Sequence, residues 1–171
     1  MAEHLLRKRF ADAGVEAVVA SAGLLQAGLR AQAHGIDVAH GLSIDMSAHR
    51  SRSMTEAALA GADLVVGMAR EHVREAVVLD TSAWPRTFTL KELVRRGEAT
   101  GARRPGEALA DWLARVGQGR RIAELTGASP DDDVADPIGR PRSSYERMAS
   151  ELDDLTARLV AVAFSGAPVS R

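Results

Sequence analysis

The 171 residues contain no cysteine, which excludes disulfides, thiolate metal sites and a thiol nucleophile drawn from these residues. Aromatics are scarce, with two Trp, one Tyr and three Phe, so the core must come mainly from Leu and Val. Neither sign of charge dominates: 22 Lys and Arg oppose 23 Asp and Glu. A general nucleic-acid or membrane-surface binder needs a basic excess, so neither partner is expected, although a local basic site is compatible with the balance. No apolar run approaches the roughly 18 to 20 residues that cross a bilayer, and no signal-peptide core follows Met1. The expected location is cytoplasmic. Twenty of the basic residues are Arg, a bias typical of a GC-rich genome that carries no functional information.

Several site types are also missing. His4, His34, His40, His49 and His72 fall on separate segments without HExxH spacing, so no metal is expected. Gly117 and Gly119 lack the preceding strand and third glycine of a dinucleotide loop, and no GK[ST] phosphate loop occurs; no cofactor is expected. Asp131 to Asp133 lacks the calcium-loop pattern and reads as a solvated charge run. Arg103-Arg104 and Arg120-Arg121 read as solubilising pairs.

What is present alternates between helical and strand patterns. Ala2, Leu6, Phe10 and Ala13 predict a first helix, with Gly14 as its left-handed stop. Val15 to Ser21 is a β-branched run long enough for one buried strand. A helix is expected over Leu25 to His34 and a polar loop over Ile36 to Arg52. Ser53 and Glu56 have capping-box spacing ahead of the next helix. Asp63 to Met68 predicts a second strand, Ala69 to Val78 a helix, Arg86 to Leu90 a third strand, and Lys91 to Arg96 a helix stopped by Gly97. Glu107 to Val116 can form another helix, and Gly117 to Pro141 is irregular. Tyr145, Met148, Leu152, Leu155, Leu159 and Val162 define the last helix, with Ser143 and Glu146 as a second capping box. The alternation predicts a three-layer α/β/α domain with a small parallel sheet. It is read as a single domain over 1–171, with a variable region at 97–133 and a flexible tail at 165–171.

Two segments can carry chemistry. Asp136-Pro137 precedes the last helix, and the proline holds Asp136 out of the α region so that its carboxylate can project from extended backbone. Negative charge from Asp131 to Asp133 could keep it protonated for general-acid work; taken alone, the motif's turn preferences favour a plain turn ahead of a helix. Ile44 to Arg52 gathers His49, Arg50, Arg52 and two hydroxyls, the composition of an anion-binding rim, and also that of a solvated connection.

In order and spacing, Met1-Ala2-Glu3-His4-Leu5-Leu6-Arg7, Ser21-Ala22-Gly23, Asp45 to Arg52, Ala62 to Met68, Phe88 to Leu93 and Asp136-Pro137 resemble the low-molecular-weight protein-tyrosine phosphatases. The resemblance covers most of 1–96 and 134–164. It implies attack of a cysteine thiolate on a phosphoryl group, a phosphocysteine intermediate, and protonation of the leaving oxygen by Asp136. Ser21, His49, Arg50 and Arg52 would rim the site, and the partner would be a phosphorylated protein or small phosphate monoester. In that family a strand and a C-x5-R-S-P loop precede the segment that begins here at Met1, so the first strand, the nucleophile and the loop arginine fall outside these residues.

This chain is therefore expected to be inactive as written and poorly stable, because the family's 2-1-3-4 sheet would lack an interior strand. The preferred expectation is that Met1 is an internal methionine of a longer protein, since Asp136 and the Arg50 to Arg52 loop look retained for chemistry. The alternative is a non-catalytic pseudophosphatase or regulatory binding module. Arsenate reduction ranks below both, because it needs further thiols. Ile138 and Gly139 stand where the family often has aromatics after Asp-Pro, which argues against a strict phosphotyrosine preference.

Overall fold

The computed structural model describes residues 1–165. Helix α1 (Ala2–Asp12) buries Glu3, Leu5 and Phe10, and Gly14 supplies the left-handed turn after it, at φ 65°. The chain then departs from the sequence expectation. Val15 to Ser21 is not a strand: Val18 is fully exposed, and the nearest pairings are isolated bridges at Gly23–Ser53 and Arg30–Arg50. A β-branched run forms a strand only where a neighbour accepts its backbone hydrogen bonds. Here the Arg7 guanidinium donates to the Val19 carbonyl instead, at 3.0 and 2.6 Å. The helix expected over Leu25 to His34 is also displaced. Gly28 turns the chain at φ 86°, and α2 (Ala33–Gly41) occupies the stretch expected to be loop, burying Val38 and Ala39.

Helix α3 (Glu56–Ala60) is capped by Thr55, whose Oγ1 accepts from the Ala58 N–H at 3.2 Å, not by Ser53. Strands β1 (Val65–Gly67) and β2 (Thr87–Thr89) pair in parallel, Val65 opposite Thr87 and Gly67 opposite Thr89. The sheet among the described residues therefore has two strands, not three. The crossover helix α4 (Arg70–Leu79) turns Val73, Ala76 and Val77 inward and packs on both strands. Its first free N–H is capped from a distance: Asp133 Oδ1 accepts from Arg70 N at 2.7 Å.

Helix α5 (Leu90–Thr100), capped by Thr89 Oγ1, runs through Gly97 instead of stopping there. The glycine answers to packing. A Cβ on it would lie 3.0 Å from Trp112 Cζ2 and 3.3 Å from Val162 Cγ2. Trp112 belongs to α6 (Leu109–Val116) and is fully buried. Helix α7 (Arg142–Ala163) starts one residue before the expected Ser143–Glu146 box, which does not form; Glu146 instead accepts from Arg142 at 2.9 Å. Its expected stripe holds, with Tyr145, Leu152, Leu155 and Leu159 buried. It packs on α1, α2 and α5, and with Phe88, Leu93, Trp112 and Leu113 it closes the core. This is the α/β arrangement with a small parallel sheet that the sequence predicts.

Two ionic clamps tie the 97–133 region down. Arg120 donates to Glu92 at 2.7 and 3.1 Å, and its guanidinium lies between the Trp84 and Phe88 rings. Asp132 takes Arg70 and Arg95 at 2.7 and 2.8 Å. Neither residue is the solvated charge expected from sequence; each is buried because its partners arrive from other elements. The tail expected at 165–171 lies outside the described residues from 166 onward. Among the described residues no helix is long and apolar enough to cross a membrane.

Candidate functional site

Two polar centres flank one small apolar cluster. The first lies at the start of α1, where the aligned peptide dipoles favour negative charge. Glu3 is buried there. It accepts from the Ser21 hydroxyl and pairs with Arg7 at 2.6 Å and more loosely with Arg52 at 3.5 Å. Burial works to raise its carboxyl, but Ser21 and the two guanidinium groups outweigh that and hold it below the ordinary carboxylate range. Arg52 also donates to the Ser21 carbonyl at 3.2 Å.

The His4 ring stands edge-on to His49 at 5.6 Å, and His4 Nε2 is buried without a hydrogen-bond partner among the described residues. Burial, the largest cause, pushes both imidazoles below their ordinary value. The structure thus gathers Ser21, His49 and Arg52 of the sequence-predicted rim around one helix end. Arg50 turns away, donating to the Ser47 and His49 carbonyls.

Glu3 and His4 were not legible as site residues, since adjacent positions on a helix carry no spacing signal; the one hint is an acid in a helix first turn. One nitrogen from each imidazole and a Glu3 oxygen lie within 4.8 Å of one another. This is a possible cation-binding set that the histidine spacing did not suggest. A cation there would have to compete with Arg7 and Arg52 for Glu3.

The second centre is an open cleft of about 800 Å³ where the Asp136 loop meets α7, lined by Asp136, Pro137, Arg140, Arg147, Glu151 and Asp154 among others. Asp136 is exposed. Its Oδ1 accepts from the Ile138 N–H at 2.9 Å, an Asx turn that fixes the carboxylate and leaves Oδ2 without a partner among the described residues. The acidic run does not serve it as expected: Asp132 is spent on two arginines, Asp133 accepts from the Arg70 and Ser129 N–H groups, and none of the three lines the cleft. None of the rim residues lines it either. The two centres meet through packing, because Met1 at the head of α1 and Met148 in the cleft wall both lie against Val38, Tyr145 and Ala149. Tyr145 is core, as its spacing predicts.

Residues 1–105 match the family described as low molecular weight phosphotyrosine protein phosphatase. Among solved structures, the chain is similar to a low molecular weight protein tyrosine phosphatase from T. tengcongensis, with 28% identity over 94% of this chain and 87% of that one and a TM-score of 0.68. It is similar to the YwlE arginine phosphatase from Geobacillus stearothermophilus, with 27% identity over 94% and 80% and a TM-score of 0.66. The Erwinia amylovora tyrosine phosphatase AmsI, at 17% identity over 94% and 81% with a TM-score of 0.67, shares the fold. A comparison with curated proteins finds no match.

Proposed function

The chain belongs to the low molecular weight phosphotyrosine protein phosphatase family, and from that premise we propose that its two polar centres are the two sides of a phosphate monoester site. The head of α1, with His49 and Arg52, faces the phosphoryl group; the Asp136 cleft receives the leaving-group side. The observation that carries this reading is the Asp136 carboxylate, which lines the cleft with one oxygen held by the Ile138 N–H and the other without a partner among the described residues. That geometry suits an acid that gives its proton to a departing oxygen. The family's other half-reaction needs a thiolate, and these 171 residues hold none. On their own they bind a phosphate ester without forming a phosphocysteine.

The test is a titration of the purified 171-residue chain with phenyl phosphate followed by ³¹P line shape, beside an assay with p-nitrophenyl phosphate. Binding that weakens in His49→Ala and Arg52→Ala, with no release of nitrophenolate, is expected. Release of nitrophenolate by this chain alone overturns the inactive reading, and absence of any phosphate binding overturns the site. If the chain expressed with the codons upstream of Met1 is active, Asp136→Asn should slow it by about 10² to 10⁴.

A second reading is favoured by two observations. Ile138 and Gly139 follow Asp136-Pro137 without an aromatic wall, and a relative of 27% identity is an arginine phosphatase. Phosphoarginine displacing phenyl phosphate at lower concentration than phosphotyrosine would select this reading.

A further inference from the structure

We propose that Arg140 and Arg147 form a subsite for a second anionic group of the substrate, carried on a residue flanking the phosphorylated one. The inference rests on the reading of the Asp136 cleft as the leaving-group side. Its basis is which charges in that cleft are already spent.

Glu151 is paired with Lys91 at 2.6 Å and Asp154 with Arg158 at 3.0 Å, while Arg158 also grips Glu98 at 2.8 Å. Just outside, Arg142 is taken by Glu146 at 2.9 Å. The two remaining cations have no carboxylate partner among the described residues. Among the described residues Arg147 donates only to the Ser144 hydroxyl, at 3.0 Å. Arg140 is exposed, and its side chain makes no hydrogen bond there. The neighbouring acid is not their partner: among the described residues Asp136 makes no ion pair with either arginine, and its one hydrogen bond is accepted from the Ile138 N–H.

Position favours a shared ligand. Arg140 is held by a turn in which its N–H donates to the Pro137 carbonyl at 2.9 Å, and Arg147 lies in the second turn of α7, so both fork-shaped donors line one cleft. A guanidinium fork matches the paired oxygens of a carboxylate or a phosphate. Size agrees, since about 800 Å³ is near the upper end of the roughly 300 to 1,000 Å³ found for clefts that hold whole small ligands. One phosphorylated side chain leaves room for a neighbour.

The test measures binding of fluorescent phosphotyrosine peptides by anisotropy, with Glu, phosphoserine, Ala or Lys beside the phosphotyrosine, and an unphosphorylated Tyr–Glu peptide as a further arm. Glu and phosphoserine flanks should bind about five- to tenfold tighter than Lys, with phosphoserine ahead of Glu if the subsite takes phosphate. The gap should close near about 0.5 M salt. The doubly reversed Arg140→Glu, Arg147→Glu chain should invert the preference at an unchanged melting temperature, and Arg142→Ala should leave it intact. Equal binding of all phosphorylated flanks overturns the subsite and leaves the phosphate site standing. Binding of the unphosphorylated acidic peptide as tightly as its phosphorylated form supports the subsite and overturns the phosphate reading. No binding in any arm overturns both.

Discussion

Replacing Arg120 by alanine should be among the most damaging single changes in this protein. The side chain is 3% exposed, and it makes three kinds of contact at once. It forks onto Glu92 at 2.7 and 3.1 Å, donates to the Thr87 carbonyl of β2 at 2.8 Å, and lies 3.9 and 3.7 Å from the centres of the Trp84 and Phe88 rings. Burial pulls the guanidinium below its ordinary value and Glu92 works against that shift, so the ion pair offsets part of the cost of burying the charge. Without it, the buried Glu92 carboxylate keeps Arg96 at 3.3 Å, a side chain 29% exposed, and β2 loses the donor for Thr87.

Removing one partner of such a pair costs about 3–5 kcal/mol. At about 2–4 °C per kcal/mol for a domain of this size, the melting temperature of the Arg120→Ala chain should fall by roughly 6 to 20 °C. The control is the double variant Arg120→Met, Glu92→Met, which removes both charges and fills the space with apolar atoms. Exchanges of that kind are often neutral or stabilising, so it should melt well above Arg120→Ala. Circular dichroism measures the transition, and Trp84 fluorescence should shift when the cation leaves its face. An Arg120→Ala variant within about 1 kcal/mol of the parent, or a double variant no better than the single, would refute the assignment of the cost to a buried carboxylate left with Arg96 alone.

Gly97→Ala places a methyl 3.0 Å from Trp112 and should cost about 1–3 kcal/mol by overpacking; an unchanged urea midpoint would show that α6 can shift freely. Acid should destabilise the fold in two steps. The lowered imidazoles of His4 and His49 bind protons less readily folded than unfolded, so their contribution is complete above about pH 6.5 and is lost as pH falls toward their folded values. The lowered carboxyls of Glu3 and Asp132 contribute fully above about pH 4.5 and lose that contribution below it. Melting curves of His4→Asn, His49→Asn should lose the upper step and keep the lower. Among the described residues β1 pairs only with β2, and Leu25 and Leu29 are exposed, so the 171-residue chain should melt below about 50 °C; a cooperative monomer transition above that overturns the expectation.

The parts of this fold that were legible in the sequence are those whose signal is local. The α7 stripe is such a case, because its residues recur at helical spacing whatever they pack on. So are β1 and β2, two short runs rich in β-branched and aromatic residues on either side of one helix, and the exposed Asp136-Pro137 loop. Val15 to Ser21 failed for the complementary reason: composition announces a strand, but pairing is a property of the neighbour. Gly97 failed because a glycine's use can lie in what approaches it, here an indole from α6. The head of α1 was half legible. His49 and Arg52 stood out by composition, while Glu3 needed the fold to bring Ser21, 18 residues on, and Arg52, 49 residues on, to its carboxylate.

The same limit governs the arginines, and it is where structure changes the functional argument most. Twenty arginines in one chain look alike in sequence, and a rule that surface arginines are solubilising assigns Arg120 and Arg140 the same role. The fold separates them by partner. Arg120, Arg70 and Arg95 are consumed by Glu92 and Asp132, carboxylates 28, 62 and 37 residues away, and so fasten the 97–133 region to the sheet and α4. Arg140 and Arg147 are left with their charge unspent beside the one carboxylate that the family resemblance selects. A buried cation clamped at short range gives a ligand little, because binding must first break the pair; a cation held without a partner loses nothing when an anion arrives. Preference for an acidic flank should therefore track the two cleft arginines, and mutation of the clamped Arg120, Arg70 or Arg95 should register as lost stability before any change in what is bound.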